Sequence, residues 1–297
     1  MTRYPWHERF WQRWAAMRQR PAQGYLVTGP AGTGVTGVCR EMARSLLCPE
    51  AGCGQCTACA QFEAGTHADL RIVEPEAPRR PVRVDQIRTL VDWVVESAHA
   101  SAGFKVVWLP QAEAMNTSSA NALLKALEEP PPNVVFILQA PGVDAVLPTL
   151  RSRCQLIRLP QPTRAEGLQW LRKQFPDLPE DRLEAALDKQ FDAPIAARDW
   201  LSDDGWSRYT RWREQMTALS RGQQDLVSVA RDWADWDNPA EPLRFLLAWS
   251  LKRPVSERNN RLQTALQHAL AMLAHSSINV QLVLEQVLVE HLYGEKR

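Results

Sequence analysis

The 297-residue chain is 45% hydrophobic and carries 35 basic against 34 acidic residues, for a net charge of +1. That length and composition bury a sizeable core and predict two or three domains, while the balanced charge excludes a bulk field drawing the protein to nucleic acid. No apolar run approaches the ~20 residues of a membrane helix, and the start, MTRYPWHERFWQRW, lacks the apolar centre of a signal peptide, so a cytoplasmic protein with no membrane partner is expected.

Trp6, Phe10, Trp14 and Met17 share one helical face and predict an N-terminal amphipathic helix with an aromatic core stripe. A short strand, Gly24 to Thr28, then runs into a glycine-rich turn and a helix over about Val38 to Leu47, the setting of a phosphate-binding loop. The turn, Gly29-Pro30-Ala31-Gly32-Thr33-Gly34-Val35-Thr36, keeps that loop's first and sixth glycines, with Thr36 at the place of the magnesium-binding hydroxyl. Its lysine is missing. Val35 stands there, and an isopropyl group neither pairs with β- and γ-phosphates nor stabilises charge in phosphoryl transfer. Weak anion binding by the loop amides stays open, but hydrolysis by this chain is not expected.

Cys48, Cys53, Cys56 and Cys59 follow, with Gly52 and Gly54 between them. Two of the gaps are Cys-x-x-Cys, and four close thiols wrap one tetrahedral Zn²⁺; with no open ligand position the metal is structural. A redox pair or idle thiols are the alternatives, and a redox motif needs only one Cys-x-x-Cys at a helix start. A direct nucleic-acid contact finds no Lys or Arg between Cys48 and Cys59. Cys39 reads as a buried thiol, and His67 as a turn residue before a fifth ligand.

A proline-rich turn leads to a helix through Ile87, Leu90, Val91 and Val94. Arg79, Arg80, Arg83 and Arg88 cluster here, as a phosphate contact or a solvated face. Lys105 to Leu109 predicts a second strand, ending at Pro110-Gln111 where a P-loop ATPase needs a carboxylate for magnesium; neither residue supplies one.

Ala120, Leu123, Leu124 and Leu127 predict a helix over Ser118 to Glu128, stopped by Pro130, Pro131 and Pro132. Val134 to Leu138 suits a strand buried on both faces of a parallel sheet. A further helix, about Val143 to Leu150, delivers Arg151, Ser152 and Arg153 to its C-terminal end, where cations are favoured by the helix dipole whether or not they do anything else. Gln155 to Leu159 is the last strand.

Pro160 and Pro162 mark a linker and Thr163 caps the next helix. Beyond it only helices are predicted, at about 164–174, 179–190 and 194–201, then longer amphipathic ones after Gly205. Trp206, Trp212, Trp233, Trp236 and Trp249 occupy their apolar positions, as core or as interface.

SSANALLKALEEPP followed by LRSRC, with Tyr4-Pro5-Trp6 near the start, resembles the clamp-loader branch of the AAA+ ATPases, and within it the delta-prime type of bacterial subunit. The resemblance is good over residues 4–205 and weaker beyond. It implies an α/β P-loop NTPase-like (AAA+) domain with a parallel sheet at 1–160 carrying a zinc module at 48–59, a small helical lid at 161–204, and an all-α collar at 205–297. Active members place an Asp-Glu pair at Pro110-Gln111 and a γ-phosphate-sensing hydroxyl at Ala140. This chain has lost both together with the lysine, so the resemblance implies a vestigial nucleotide loop at Gly29, Gly34, Val35 and Thr36. A motor subunit of the same family would need Lys at 35 and acids at 110 and 111. Active lids also supply an arginine near Asp192-Ala193-Pro194-Ile195; none is present there, and Arg198 lies a turn later.

In that family Ser-Arg-Cys carries an arginine finger for the ATP of the next subunit. Here the motif is Ser152-Arg153-Cys154, which implies that Arg153, beside Ser152, acts in trans. The implied partners are the gamma or tau ATPase subunits, the delta subunit and, through the assembly, the sliding clamp and primed DNA. The chain is then a non-hydrolysing part of a DNA-directed DNA polymerase holoenzyme.

Overall fold

The structure is a computed structural model that describes residues 3–77, 80–95, 103–273 and 278–294. Two compact units divide it, Met1–Glu166 and Gly167–Arg297.

The first unit begins with a 3₁₀ turn at Pro5–His7 and helix α1 (Glu8–Met17). Strand β1 (Gly24–Thr28) follows, then α2 (Val35–Leu47), α3 (Thr57–Glu63), β2 (Leu70–Ile72), α4 (Val84–Val95) and β3 (Lys105–Leu109). The unit closes with α5 (Thr117–Glu128), β4 (Val134–Ala140), α6 (Pro148–Arg151), β5 (Gln155–Arg158) and the start of α7 (Arg164–Gln174). All strand pairs are parallel, in the order β2-β3-β4-β1-β5. β1, β3 and the first five residues of β4 are buried throughout, as continuous apolar runs require of inner strands covered on both faces. One face packs on α1 and α2 through Trp11, Trp14, Val38 and Met42, the other on α4 and α5 through Ile87, Leu90, Leu123 and Leu127.

The sequence pattern missed β2, a three-residue edge strand too short to show periodicity, and α3 within the cysteine segment. Several expected bounds shift, α2 for one starting at Val35 instead of Val38, and two of the shifts have a clear local cause. The helix expected from Ser118 starts at Thr117, because the Asn116 side chain caps it by accepting from the Ser119 amide at 2.9 Å. The helix expected over Val143 to Leu150 is two pieces, a 3₁₀ turn at Val143–Ala145 and α6. Pro148 is the reason: it has no amide hydrogen and forces the preceding Leu147 out of helical geometry, to φ −53° and ψ 136°.

The second unit is helical among the described residues: the rest of α7, α8 (Glu180–Lys189), α9 (Pro194–Ser202), α10 (Gly205–Ser220), α11 (Leu226–Ala234), α12 (Glu241–Leu251), α13 (Glu257–Met272) and α14 (Val280–Tyr293). One core runs from Leu171 to Leu288, and Trp200 of α9 meets Trp206 of α10 and Phe245 of α12 edge-on. Trp212 and Trp233 are buried, while Trp206, Trp236 and Trp249 are half-buried against the same core. No helix is long and apolar enough to cross a membrane among the described residues.

Candidate functional site

The glycine loop sits at the C-terminal end of β1, between that strand and the start of α2. Gly32 and Gly34 take left-handed backbone, with φ of 72° and 100°, which lets the chain curl into the helix. The loop is held from inside: Thr33 is buried and donates from Oγ1 to the Pro30 carbonyl at 2.7 Å, and the Trp6 indole donates to the Thr33 carbonyl at 2.8 Å.

Val35 is only 7% exposed and belongs to the core under α2, against Gly29 and Leu159. The lysine position has therefore become a packing position. Thr36 is exposed, but its hydroxyl accepts from Gln139 Nε2 at 2.9 Å, so the one oxygen suited to magnesium is already engaged. Sequence reasoning pointed to Ala140, which is buried; the interacting residue is Gln139 beside it. A polar side chain at the otherwise apolar end of β4 was the available signal. At the end of β3, Pro110 is buried and Gln111 exposed, and no carboxylate replaces them.

The cysteine loop begins where α2 ends. Ala51, Gly52 and Gly54 all have positive φ, turning the chain so that the four sulfurs of Cys48, Cys53, Cys56 and Cys59 lie within 4.8 Å of one another. Cys48 Sγ is 3.7 Å from Cys53 Sγ and 3.6 Å from Cys56 Sγ. A tetrahedral ion with sulfur at about 2.3 Å sets sulfur–sulfur distances of about 3.8 Å, whereas a disulfide sets about 2.05 Å; the spacing is that of metal ligands, and all four cysteines are free.

Backbone amides converge on the sulfurs, from Cys53 to Cys48 (3.4 Å), Gly54 to Cys59 (3.3 Å), Gln55 to Cys53 (3.5 Å) and Cys59 to Cys56 (3.4 Å). Such bonds favour a thiolate, the ligand form, although burial beside Cys48 and Cys56 outweighs the Gly54 amide at Cys59 and pushes that thiol up to about 12. Burial pushes the Cys48 thiol up, but the amides of Cys53, Gly52 and Glu50 outweigh it and bring it to about 6. Arg44, missed from sequence, runs beneath the loop against Gly52 and Gly54 and is buried in an ion pair with Glu41. Its cation lies under a cluster that carries net negative charge once four thiolates hold a divalent ion. The donor set fits a metal. His67 is no part of it: its Nδ1 accepts from the Asp69 amide at 3.2 Å, as a turn residue. Cys39 is fully buried in the core and its thiol pushed up by burial.

Arg153 follows α6 and precedes β5. Its Nη1 donates to the Thr149 carbonyl at 2.9 Å and lies 3.4 Å from Ser152 Oγ, and its Nη2 pairs with Glu128, the last residue of α5. Ser152 Oγ donates to the Thr149 carbonyl at 3.0 Å. Arg151, by contrast, pairs with Asp144 at 3.2 Å. Beneath the turn lies Gly24: a Cβ there would come within 3.2 Å of Cys154 Sγ and 3.3 Å of both the Arg153 carbonyl and Leu127.

This places Arg153 at the N-terminal edge of the parallel sheet, while the glycine loop is at the C-terminal edge. The five residues of β1 separate them by roughly 15 Å. Arg153 is thus at the wrong end of the sheet for a phosphate held by the loop of its own chain.

Two of the other arginines singled out by the sequence are engaged locally. Arg83 pairs with Glu76 and Arg88 with Asp85, Arg80 is exposed, and Arg79 lies outside the described residues. In the second unit Arg198 pairs with Asp199 at 2.5 Å and stacks over Trp170.

The sequence model of the family described as DNA polymerase III, delta subunit, matches residues 7–163. The DNA polymerase III subunit delta′ of Pseudomonas aeruginosa is 43% identical over 250 residues, covering 83% of this chain and 74% of its own. That of Yersinia pestis is 34% identical over 258 residues, with the same coverages. Among solved structures, a DNA polymerase III gamma subunit-related protein of Thermotoga maritima shares the fold, at a TM-score of 0.50 and 19% identity over 96% of this chain and 98% of that one. The fold is accordingly that of an AAA+-type P-loop domain followed by helices. On the identity, the coverage and the family match together, the chain belongs to the delta′ family of DNA polymerase III subunits.

Proposed function

We propose that this chain is the non-hydrolysing subunit of a clamp loader and that Arg153 completes the ATP site of a neighbouring gamma or tau subunit. What supports the reading is the place of Arg153, at the sheet edge opposite its own loop, on an element that presents a guanidinium outward. A planar, permanently charged group of this kind spreads its donors over γ-phosphate oxygens, and arginine fingers contribute about 10³- to 10⁵-fold in GTPase systems. Ser152 sits beside it and fixes the turn through the Thr149 carbonyl.

Residues of the vestigial loop support the complementary half. Val35 packs into the core, Thr36 is taken by Gln139, and neither Pro110 nor Gln111 at the end of β3 is an acid, so a bound nucleotide would find no lysine and no acid at the positions an active loop uses. The four cysteines hold one Zn²⁺ as a brace for the segment between α2 and α3, with no catalytic role. The second unit comprises a lid, about 161–204, and a collar, about 205–297, through which subunits assemble. The delta subunit, the sliding clamp and primed DNA are reached through that assembly, in the cytoplasm.

The test is a reconstituted loader carrying Arg153→Ala. It should assemble normally and show reduced DNA- and clamp-stimulated ATPase with slower clamp loading, by less than a full finger effect because other ATP sites keep their own arginines. Loading at the wild-type rate by an assembled mutant complex would leave Arg153 as a helix-end residue only.

A further inference from the structure

Among the described residues β5 is an edge strand, paired with β1 alone. The Leu159 amide donates to the Thr28 carbonyl, and Thr28 is in register with Arg158. In a parallel ladder alternate residues turn their backbone groups to opposite sides, so Ile157 and Leu159 face β1 while the N–H and C=O groups of Leu156 and Arg158 face away from it. Among the described residues those groups have no partner.

Beside this free edge is a cavity of about 230 Å³ between β5 and α1, lined among others by Arg9, Phe10, Arg13, Met17, Leu156 and Arg158. Arg9 and Arg13 stand one turn apart on α1, and both are exposed, as is Arg158. None of the three has an ion-pair partner among the described residues, whereas Arg40, Arg83, Arg88, Arg151, Arg172 and Arg208 in the same chain all do. Phe10 and Met17 are half-buried and Leu156 is 36% exposed, leaving apolar surface between the cations.

From this arrangement we infer that the α1–β5 groove is a docking site for an extended acidic segment of a partner protein, which adds to β5 as a sixth strand. An unpaired edge is a ready template for another chain, and native edges are ordinarily blunted by charge, proline or cover. Here Arg9, Arg13 and Arg158 outnumber the nearby carboxylates of Glu8 and Glu166, so the groove repels a second basic edge and recruits an acidic one. Alternating acidic and apolar residues match both features, with carboxylates toward Arg9 and Arg13 on the α1 face and branched side chains beside Leu156 on the other. A peptide is favoured over a nucleic-acid strand because the outward groups alternate donor and acceptor at peptide spacing, whereas a phosphodiester chain supplies only acceptors. The surface is separate from Arg153 and from the loop, so its fate does not depend on the proposed finger.

The experiment uses the full chain and a fluorescent hexapeptide of alternating aspartate and valine, followed by anisotropy and by amide hydrogen exchange. The acidic peptide should bind at least tenfold more tightly than its lysine counterpart and slow exchange at Leu156 and Arg158. Arg13→Glu should weaken it about tenfold or more. Leu156→Pro, which deletes an outward N–H that β1 does not use, should abolish binding while circular dichroism stays native; if that variant does not fold, Arg13→Glu and the exchange data decide. Absence of binding, binding without protection at Leu156 and Arg158, or tighter binding of an oligodeoxythymidine of equal charge that survives Leu156→Pro would each overturn the inference.

Discussion

The guanidinium of Arg153 is paired with the carboxylate of Glu128, joining the turn after α6 to the end of α5. Both side chains keep substantial exposure, 33% and 46%, and an ion pair in such a position contributes about 0–1 kcal/mol. Glu128 therefore holds Arg153 in a defined orientation without locking it there, as the proposed finger requires.

Glu128→Gln should accordingly leave assembly intact and change stimulated ATPase by less than about fivefold, toward faster turnover because a competing anion is gone. Arg153→Lys should rescue poorly, since an ammonium is a point charge without the fork. Both are read as DNA- and clamp-stimulated ATPase of the reconstituted complex. A loss with Glu128→Gln as deep as that with Arg153→Ala would instead make the carboxylate a positioning group for the finger.

Val35→Lys should not create an ATPase. Its ammonium replaces an isopropyl group that is 7% exposed and packed against Gly29 and Leu159, so the first effect is destabilisation by about 1–3 kcal/mol, a typical cost of an ill-matched core change. Thermal melting and magnesium-dependent phosphate release from the purified subunit measure both halves. Turnover by this single variant would show that the missing lysine was the only defect.

The metal prediction turns on Cys56, whose sulfur accepts from the Cys59 amide and caps α3. Serine is itself a good helix cap, so Cys56→Ser preserves that bond while weakening the thiolate set. Wild-type protein should carry one zinc per chain, and Cys56→Ser substantially less with a lower melting temperature. Binding free energies for such sites in peptides are about 10–16 kcal/mol near neutral pH, so a wild-type preparation without metal would contradict the assignment.

His7 gives a pH prediction. It is fully buried against Tyr4 and Trp6, neither ring nitrogen has a partner among the described residues, and burial holds its imidazole down to about 4. With the folded value below the unfolded one of about 6.5, the unfolded chain binds the extra proton. The contribution is complete above about pH 6.5, falls as pH drops toward 4, and is constant below that. His7→Phe should therefore flatten this part of the acid limb. Urea midpoints of both proteins at pH 7 and pH 4.5 test it: the difference between them should favour the variant more at the lower pH.

Much of the first unit was legible because its inner strands are buried on both faces and leave continuous apolar runs, such as Val134 to Leu138. Even Lys105 did not obscure β3: it is fully buried, but its ammonium bonds the Trp93 carbonyl at 2.8 Å and sits over the Trp93 ring. The cysteine cluster was legible because metal ligation imposes spacing on neighbouring residues. What stayed hidden depends on contacts between distant positions. The Gln139 bond to Thr36 joins residues 103 apart, the Glu128 pairing is set by where β4 carries the chain, and Arg44 reaches the cysteine loop from the preceding helix. No periodicity encodes these. The break before α6 was readable from Pro148, and the run of apolar residues around it masked the signal.

Gly24 has a consequence for how the chain transmits movement. Its missing side chain lets the start of β1, the backbone of Arg153, Cys154 and Leu127 of α5 close on one point, and the glycine loop begins five residues on, where the same strand ends. Strand and turn are thus coupled without slack, like the two ends of a lever. If a neighbouring subunit tilts the loop end of the sheet, the tip of Arg153 swings with it instead of being cushioned by soft packing. Gly24→Ala would insert a methyl group at the pivot and offset that tip, while leaving Ser152 and Arg153 themselves unchanged.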